Sequence, residues 1–159
     1  MYNISKEGLE LIKRHESFRN NAYKPVSWEK GWTIGYGNKF YKDGSAVKEG
    51  DFITRAEAIV LLKAIVFKFE YKINKLVKVK LKQCQFDALV SFSYNVGIHA
   101  FSKSTLLRVV NETPENYSEI EKQFKRWNKA GGRILKGLIK RRNSEYYLYG
   151  KENKKKENA

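Results

Sequence analysis

Residues 85–95, Gln-Phe-Asp-Ala-Leu-Val-Ser-Phe-Ser-Tyr-Asn, restrict the fold more than any other stretch of this chain. Wound as a helix, the segment is apolar almost all round, so it needs packing partners on nearly every side. It reads as the buried central helix of a helical core, closed by Gly97. A chain of 159 residues can supply those partners within one domain, with room for two lobes. Three Trp, ten Tyr and nine Phe provide the large side chains, and only two Pro argue against a fibrous or low-complexity chain.

Other elements follow from caps and periodicity. Ser5 is a candidate N-cap, and Leu9, Ile12 and Glu16 share one face, which predicts a helix over about residues 6–15 with Glu16 at its C-terminal end. Asn20-Asn21, Pro25 and Gly31 break helix, and Trp32, Ile34 and Tyr36 alternate with small or polar residues. Lys42-Asp43-Gly44-Ser45 reads as a hairpin turn. Residues 17–53 are therefore expected to form a small β-rich lobe. Thr54-Arg55-Ala56-Glu57 is a capping box opening a long helix to about residue 78. The chain from 54 to 150, with the N-terminal helix, is expected to form a helical lobe. Its later helices fall near 102–111, near 118–127 behind a capping box at Ser118, and over 136–149 after a break at Gly131-Gly132. The tail Lys151–Ala159 carries no apolar residue before its last position and is expected to be disordered and dispensable for chemistry.

Charge and sequence ends narrow the function classes. Lys and Arg number 32 against 17 Asp and Glu, a formal net charge of +15. Such an excess attracts polyanions, whether nucleic acid, anionic lipid or bacterial wall polymer. Charge is all that favours nucleic acid, since no base-reading motif is present. No apolar run approaches the roughly 20 residues that span a bilayer. Met1–Lys6 lacks the apolar stretch of a secretory signal, so a cytoplasmic start with exit through a separate device is expected. Cys84 is the single cysteine and is expected to be a buried thiol. His15 and His99 match no metal-ligand spacing, and no cofactor motif is found.

Four blocks, in order, give the chain a resemblance. They are Glu16 with Ala22-Tyr23; Trp32-Thr33-Ile34-Gly35-Tyr36-Gly37; Gln85–Phe92 through Asn95-Val96-Gly97; and Trp127–Arg133 with Gly137-Leu138-Ile139 and Arg141-Arg142. Over roughly residues 4–149 the chain resembles the phage lysozymes, the muramidase endolysins of tailed phages and prophages. The resemblance implies an α+β, mostly helical, two-lobed fold, with the lobes joined by the helix after Thr54. It implies hydrolysis of the β-1,4 bond between N-acetylmuramic acid and N-acetylglucosamine in peptidoglycan, by a monomer without cofactor or metal. Glu16 stands at the family's general acid, and Thr33 at the threonine that helps hold the attacking water. Tyr36, Phe92 and Ser104 are expected along the glycan cleft, with Arg133 near the acid; Phe92 reads equally as core.

The family's remaining carboxylate is missing. It usually stands nine residues after the glutamate and six before the threonine, offsets that fall here on Pro25 and Ser27. Glu29 is the nearest carboxylate; it either reaches back to activate water or is a solvated turn residue. Ser17 replaces the family's glycine after the acid, and Asn38 replaces a histidine after Gly-Tyr-Gly. Two alternatives to a hydrolase stay open: a lytic transglycosylase, which dispenses with the second carboxylate, and a cationic wall- or membrane-binding protein with a degenerate site.

Overall fold

The computed structural model describes residues 1–158. The chain divides into two compact units, one spanning Lys13–Lys68 and the other Met1–Ile12 with the chain from Phe69 onward. It is mostly helical, with two small antiparallel sheets.

The smaller unit begins with the last turn of α1 (Lys6–Glu16), followed by β1 (Arg19–Tyr23) and β2 (Thr33–Gly35). β1 pairs antiparallel with β2, placing Arg19 opposite Gly35 and Tyr23 opposite Thr33 around a bulge. On its other edge β1 takes residues 51–53, through Ala22 N–H to Asp51 O (2.9 Å) and Ile53 N–H to Asn20 O (2.8 Å). The expected turn is present: Gly44, at φ 88°, donates its N–H to Tyr41 O. The first half of α2 (Arg55–Leu76) covers the sheet. Its capping box forms, with Thr54 N–H bonded to Glu57 Oε2 at 2.8 Å and Glu57 N–H returned to Thr54 Oγ1 at 3.2 Å. Ala58 on α2 approaches Gly35 so closely that a Cβ at Gly35 would lie 3.3 Å from the Ala58 Cβ. Ala58, Leu61 and Leu62 are buried, and the compact unit runs on to Lys68.

The larger unit is built round α3 (Gln83–Val96), in which every residue from Cys84 to Ser93 is buried. Gly97, at φ 91°, ends it by donating its N–H to Ser93 O. Against α3 pack α4 (Ile98–Ser102) and α7 (Lys136–Tyr149); α5 (Thr105–Glu112) and α6 (Tyr117–Lys125) complete the layer. Three carboxylates inside this unit serve the fold. Asp87 accepts the Ser5 N–H (2.9 Å) and the Ser5 hydroxyl, holding the start of α1. Glu70 accepts the Ile4 N–H at 2.7 Å. Glu145, fully buried on α7, is paired with Arg141 (3.0 Å) and Arg142 (2.8 Å) and accepts the Ser91 hydroxyl (2.8 Å).

Several sequence expectations need correction here. The helix expected near 102–111 is two short helices, since Ser104 caps the second of them. The cap of α6 is Asn116, not Ser118: its side chain accepts the Glu119 N–H. Gly131 and Gly132, at φ 55° and 75°, form the turn of an exposed hairpin, β3 (Lys129–Ala130) with β4 (Arg133–Ile134). The tail takes a helical conformation, α8 (Lys151–Glu157), with Ala159 lying outside the described residues. Lys151 pairs with Glu7 at 2.5 Å, and the Lys154 ammonium lies 4.5 Å from the Tyr147 ring centroid. These contacts replace the apolar burial that the tail's composition lacks.

Candidate active site

The C-terminus of α1 delivers Glu16 half-buried, and the chain then turns sharply. Ser17 makes that turn with φ 58°, the only left-handed non-glycine among the described residues, and its N–H closes on Lys13 O at 3.0 Å. Here lies the physical reason for the family's glycine at this position: an L side chain in the left-handed region costs about 1–2 kcal/mol.

Residues 34–38 form a tight loop. Ile34 N–H donates to Asn38 O (2.9 Å) and Asn38 N–H donates back to Ile34 O (3.0 Å). Gly35 and Gly37 take φ 62° and 79° inside it. The Glu16 carboxylate lies directly on Gly37, and a Cβ at residue 37 would overlap its Oε2. The glycine-rich strand thus provides the seat for the candidate acid, a role the Gly-Tyr-Gly pattern did not reveal by spacing alone.

Thr33 is 3% exposed, and its Oγ1 has no hydrogen-bond partner among the described residues. Buried hydroxyls are nearly always bonded, so an orphaned one on a strand edge is equipped to hold a water or a substrate hydroxyl. Tyr23 stands opposite Thr33 across the strand pair, with the Arg19 guanidinium 4.7 Å from its ring centroid. Burial pushes the Tyr23 hydroxyl above its ordinary pKa; Arg19 opposes that, while the Glu16 and Glu29 carboxylates reinforce it. Both carboxylates therefore lie within electrostatic reach of one tyrosine, and Glu16, Glu29, Tyr23 and Thr33 share one unit. Tyr23 has a place here that the sequence did not assign; its position opposite Thr33 depends on the register of β1 against β2.

Glu29 sits in the turn before β2, its N–H on Val26 O at 3.1 Å and its carboxylate paired with Lys39 Nζ at 2.9 Å. The pair fixes the side chain without enclosing it, since the Glu29 side chain is 28% exposed.

Three residues expected along the cleft are differently employed. Tyr36 is 2% exposed, its ring packed on Phe18 (5.5 Å between centroids) and its hydroxyl accepting from Arg55 Nη1 (3.4 Å). Phe92 is fully buried and meets Phe101, Phe124 and Trp127 edge-on at 5.4–6.1 Å. Ser104 donates its hydroxyl to Phe101 O (2.7 Å) and accepts the Leu107 N–H (3.1 Å). An enclosed ring offers no face to a sugar, and a hydroxyl already used as donor and acceptor is committed to its helix. Arg133 is exposed on β4 and belongs to the larger unit, whereas Glu16 belongs to the smaller one.

A family model described as phage lysozyme matches residues 13–145, which covers the acid, the glycine loop, the central helix and most of α7. This chain belongs to the phage lysozyme family. It is 45% identical over 147 residues to an endolysin of Bacillus phage B103, a match covering 92% of this chain and 54% of that protein. It is 39% identical over 150 residues to an endolysin of Acyrthosiphon pisum secondary endosymbiont phage 1, covering 92% and 97%. Among solved phage lysozyme-like structures, the muramidase domain of SpmX from Asticaccaulis excentricus superposes with TM-score 0.81 at 37% identity, over 94% of this chain and 98% of that one. The chain spans about half the length of the Bacillus phage relatives it matches.

Proposed function

We propose that this phage lysozyme is a muramidase endolysin, hydrolysing the β-1,4 bond between N-acetylmuramic acid and N-acetylglucosamine in bacterial peptidoglycan. The observation that carries the reading is the Glu16 carboxylate seated on Gly37 in the same unit as the orphaned Thr33 hydroxyl. Glu16 protonates the glycosidic oxygen as its bond to the anomeric carbon breaks. A water held by Thr33 adds to that carbon from the opposite face, inverting it, and gives up a proton to a nearby base. Glu29 is the carboxylate proposed for that base. Wall degradation by this chemistry would lyse the host cell.

A second reading has a specific observation in its favour. Pro25 and Ser27 stand where the family's second carboxylate is expected, and Glu29 is already paired with Lys39. A lytic transglycosylase needs no activated water: the muramic acid 6-hydroxyl attacks the anomeric carbon, and the product ends in a 1,6-anhydro ring. Turbidity clearing of purified peptidoglycan by the wild type and by Glu16→Gln, with mass spectrometry of the products, tests both. Clearing that is lost in the variant and leaves reducing muramic acid ends supports the hydrolase. Anhydro ends move the assignment to a transglycosylase, and equal clearing by the variant removes Glu16 from the acid's role.

A further inference from the structure

From Tyr71 to Lys82 the chain carries Lys72, Lys75, Lys78, Lys80 and Lys82 and no aspartate or glutamate. Lys72, Lys75, Lys78 and Lys80 are exposed, and none has a carboxylate partner among the described residues. Lys82 alone is paired, with Glu115 at 3.1 Å. Elsewhere Lys122 faces Glu119, Lys125 faces Glu121 and Lys151 faces Glu7, while a second acid-free stretch, residues 122–144, exposes Lys129, Arg133, Lys136 and Lys140. The ribbon is thus one of two acid-free basic stretches, with four exposed ammonium groups that no carboxylate neutralises among the described residues.

The ribbon is held on a fixed backbone. Asn111 accepts the Lys78 N–H (2.7 Å) and donates to Leu76 O (3.1 Å). The Tyr2 hydroxyl accepts the Leu81 N–H (3.0 Å) and donates to Leu81 O (2.8 Å). Between those anchors Val77, Val79 and Leu81 turn inward to line a small cavity with Tyr2, Ile73 and Phe86, while Lys78 and Lys80 turn outward. On the last turns of α2, Lys75 lies over the Tyr71 ring at 4.4 Å.

We infer that residues 71–82 form a docking surface for a phosphodiester polymer of the bacterial wall. This rests on the wall-degrading reading above, because it takes the partner from the substrate's surroundings. A row of ammonium groups without carboxylate partners, one of them (Lys78 Nζ) resting on the Lys75 carbonyl, matches a linear polyanion of repeated phosphates and sits on a pinned backbone before binding. An anionic bilayer fits less well, since Tyr71 is the sole large apolar side chain exposed in the ribbon and an interfacial helix needs an apolar face. A nucleic acid would want several aromatic platforms among the lysines, and the ribbon offers one.

The test uses the full chain with Glu16→Gln, so that walls are bound without being cut. Sedimentation with Gram-positive walls is compared before and after the phosphodiester polymer is stripped by hydrofluoric acid. Changing Lys72, Lys75, Lys78 and Lys80 to Gln is expected to weaken binding to intact walls by about tenfold or more at low salt, with little change on stripped walls. Changing Lys122, Lys125, Lys154 and Lys155 to Gln removes the same charge and is expected to cost about twofold or less. Equal losses from the two sets, or equal binding to intact and stripped walls, would overturn the proposal. So would a parallel loss of the same size on vesicles rich in phosphatidylglycerol. Circular dichroism verifies that both variants fold. Turnover of a soluble glycan by the ribbon variant with Glu16 restored is expected to be unchanged. Failure of the wild type to cleave peptidoglycan would sink the enzymatic reading and leave the binding result standing.

Discussion

Glu145 and Glu16 are both carboxylates on helices, and the protein uses them in opposite ways. Glu145 lies fully buried between two guanidiniums and a serine hydroxyl; burial pushes its carboxyl up while Arg142 and Arg141 pull it back. Such a group ties helices together, its Oε1 accepting from Ser91, Arg141 and Arg142 while Oε2 faces the Arg142 guanidinium. Glu16 is half-buried, its carboxylate against the bare backbone of Gly37. Spatial setting, more than residue type, separates the carboxylate proposed as the acid from the structural one.

The largest effect that could break this contrast belongs to Glu145→Gln. Two buried guanidiniums would lose their counter-charge, and stability should fall by about 3–5 kcal/mol in denaturant titration, with specific activity of the folded fraction preserved. A loss below about 1 kcal/mol would mean that the cluster is not the structural tie described above. Glu16→Gln is expected to do the reverse, lowering turnover about 10²-fold or more with little change in Tm. Gly37→Ala sharpens the comparison, because the added methyl displaces the acid and also strains a left-handed residue. Activity should drop by about 10²-fold and stability by about 1–2 kcal/mol, and an active Gly37→Ala would disprove the seat. Glu29→Gln should slow hydrolysis about tenfold or more if that carboxylate takes the water's proton. Unaltered turnover returns Glu29 to an ordinary turn residue held by Lys39. Smallest is Ser17→Gly, expected to raise stability by about 1 kcal/mol in thermal melts without altering turnover.

Much of this architecture was legible from local chemistry. The Thr54–Glu57 capping box, the Ser5 cap and the all-round apolar run from Gln85 fix their helices because the signals are short-range and redundant. What escaped depends on partners far along the chain. α8 has no apolar stripe, and its attachments are Lys151 to Glu7, 144 residues away, and Lys154 to the tyrosines of α7. The β3–β4 hairpin has two-residue strands, too short to show a period. The pattern leaves Phe92 between core and cleft wall and sets Ser104 along the cleft, because it gives a residue's neighbours in sequence and not its depth. Ser104, standing directly before Thr-Leu-Leu-Arg-Val-Val, carries a readable cap signal. At the candidate site, type and spacing single out Glu16 and Thr33, whereas the position of Tyr23 opposite Thr33 depends on strand register, which no single segment encodes.

Gly37 also offers a practical sorting rule. Chains that adopt this scaffold but carry any side chain at the equivalent position should retain the helices, the hairpins and the basic ribbon while losing the place where the acid rests. On the reading of Glu16 as the acid, a survey of wall-associated proteins would sort cutters from binders by looking for one absent methyl group before any assay is run.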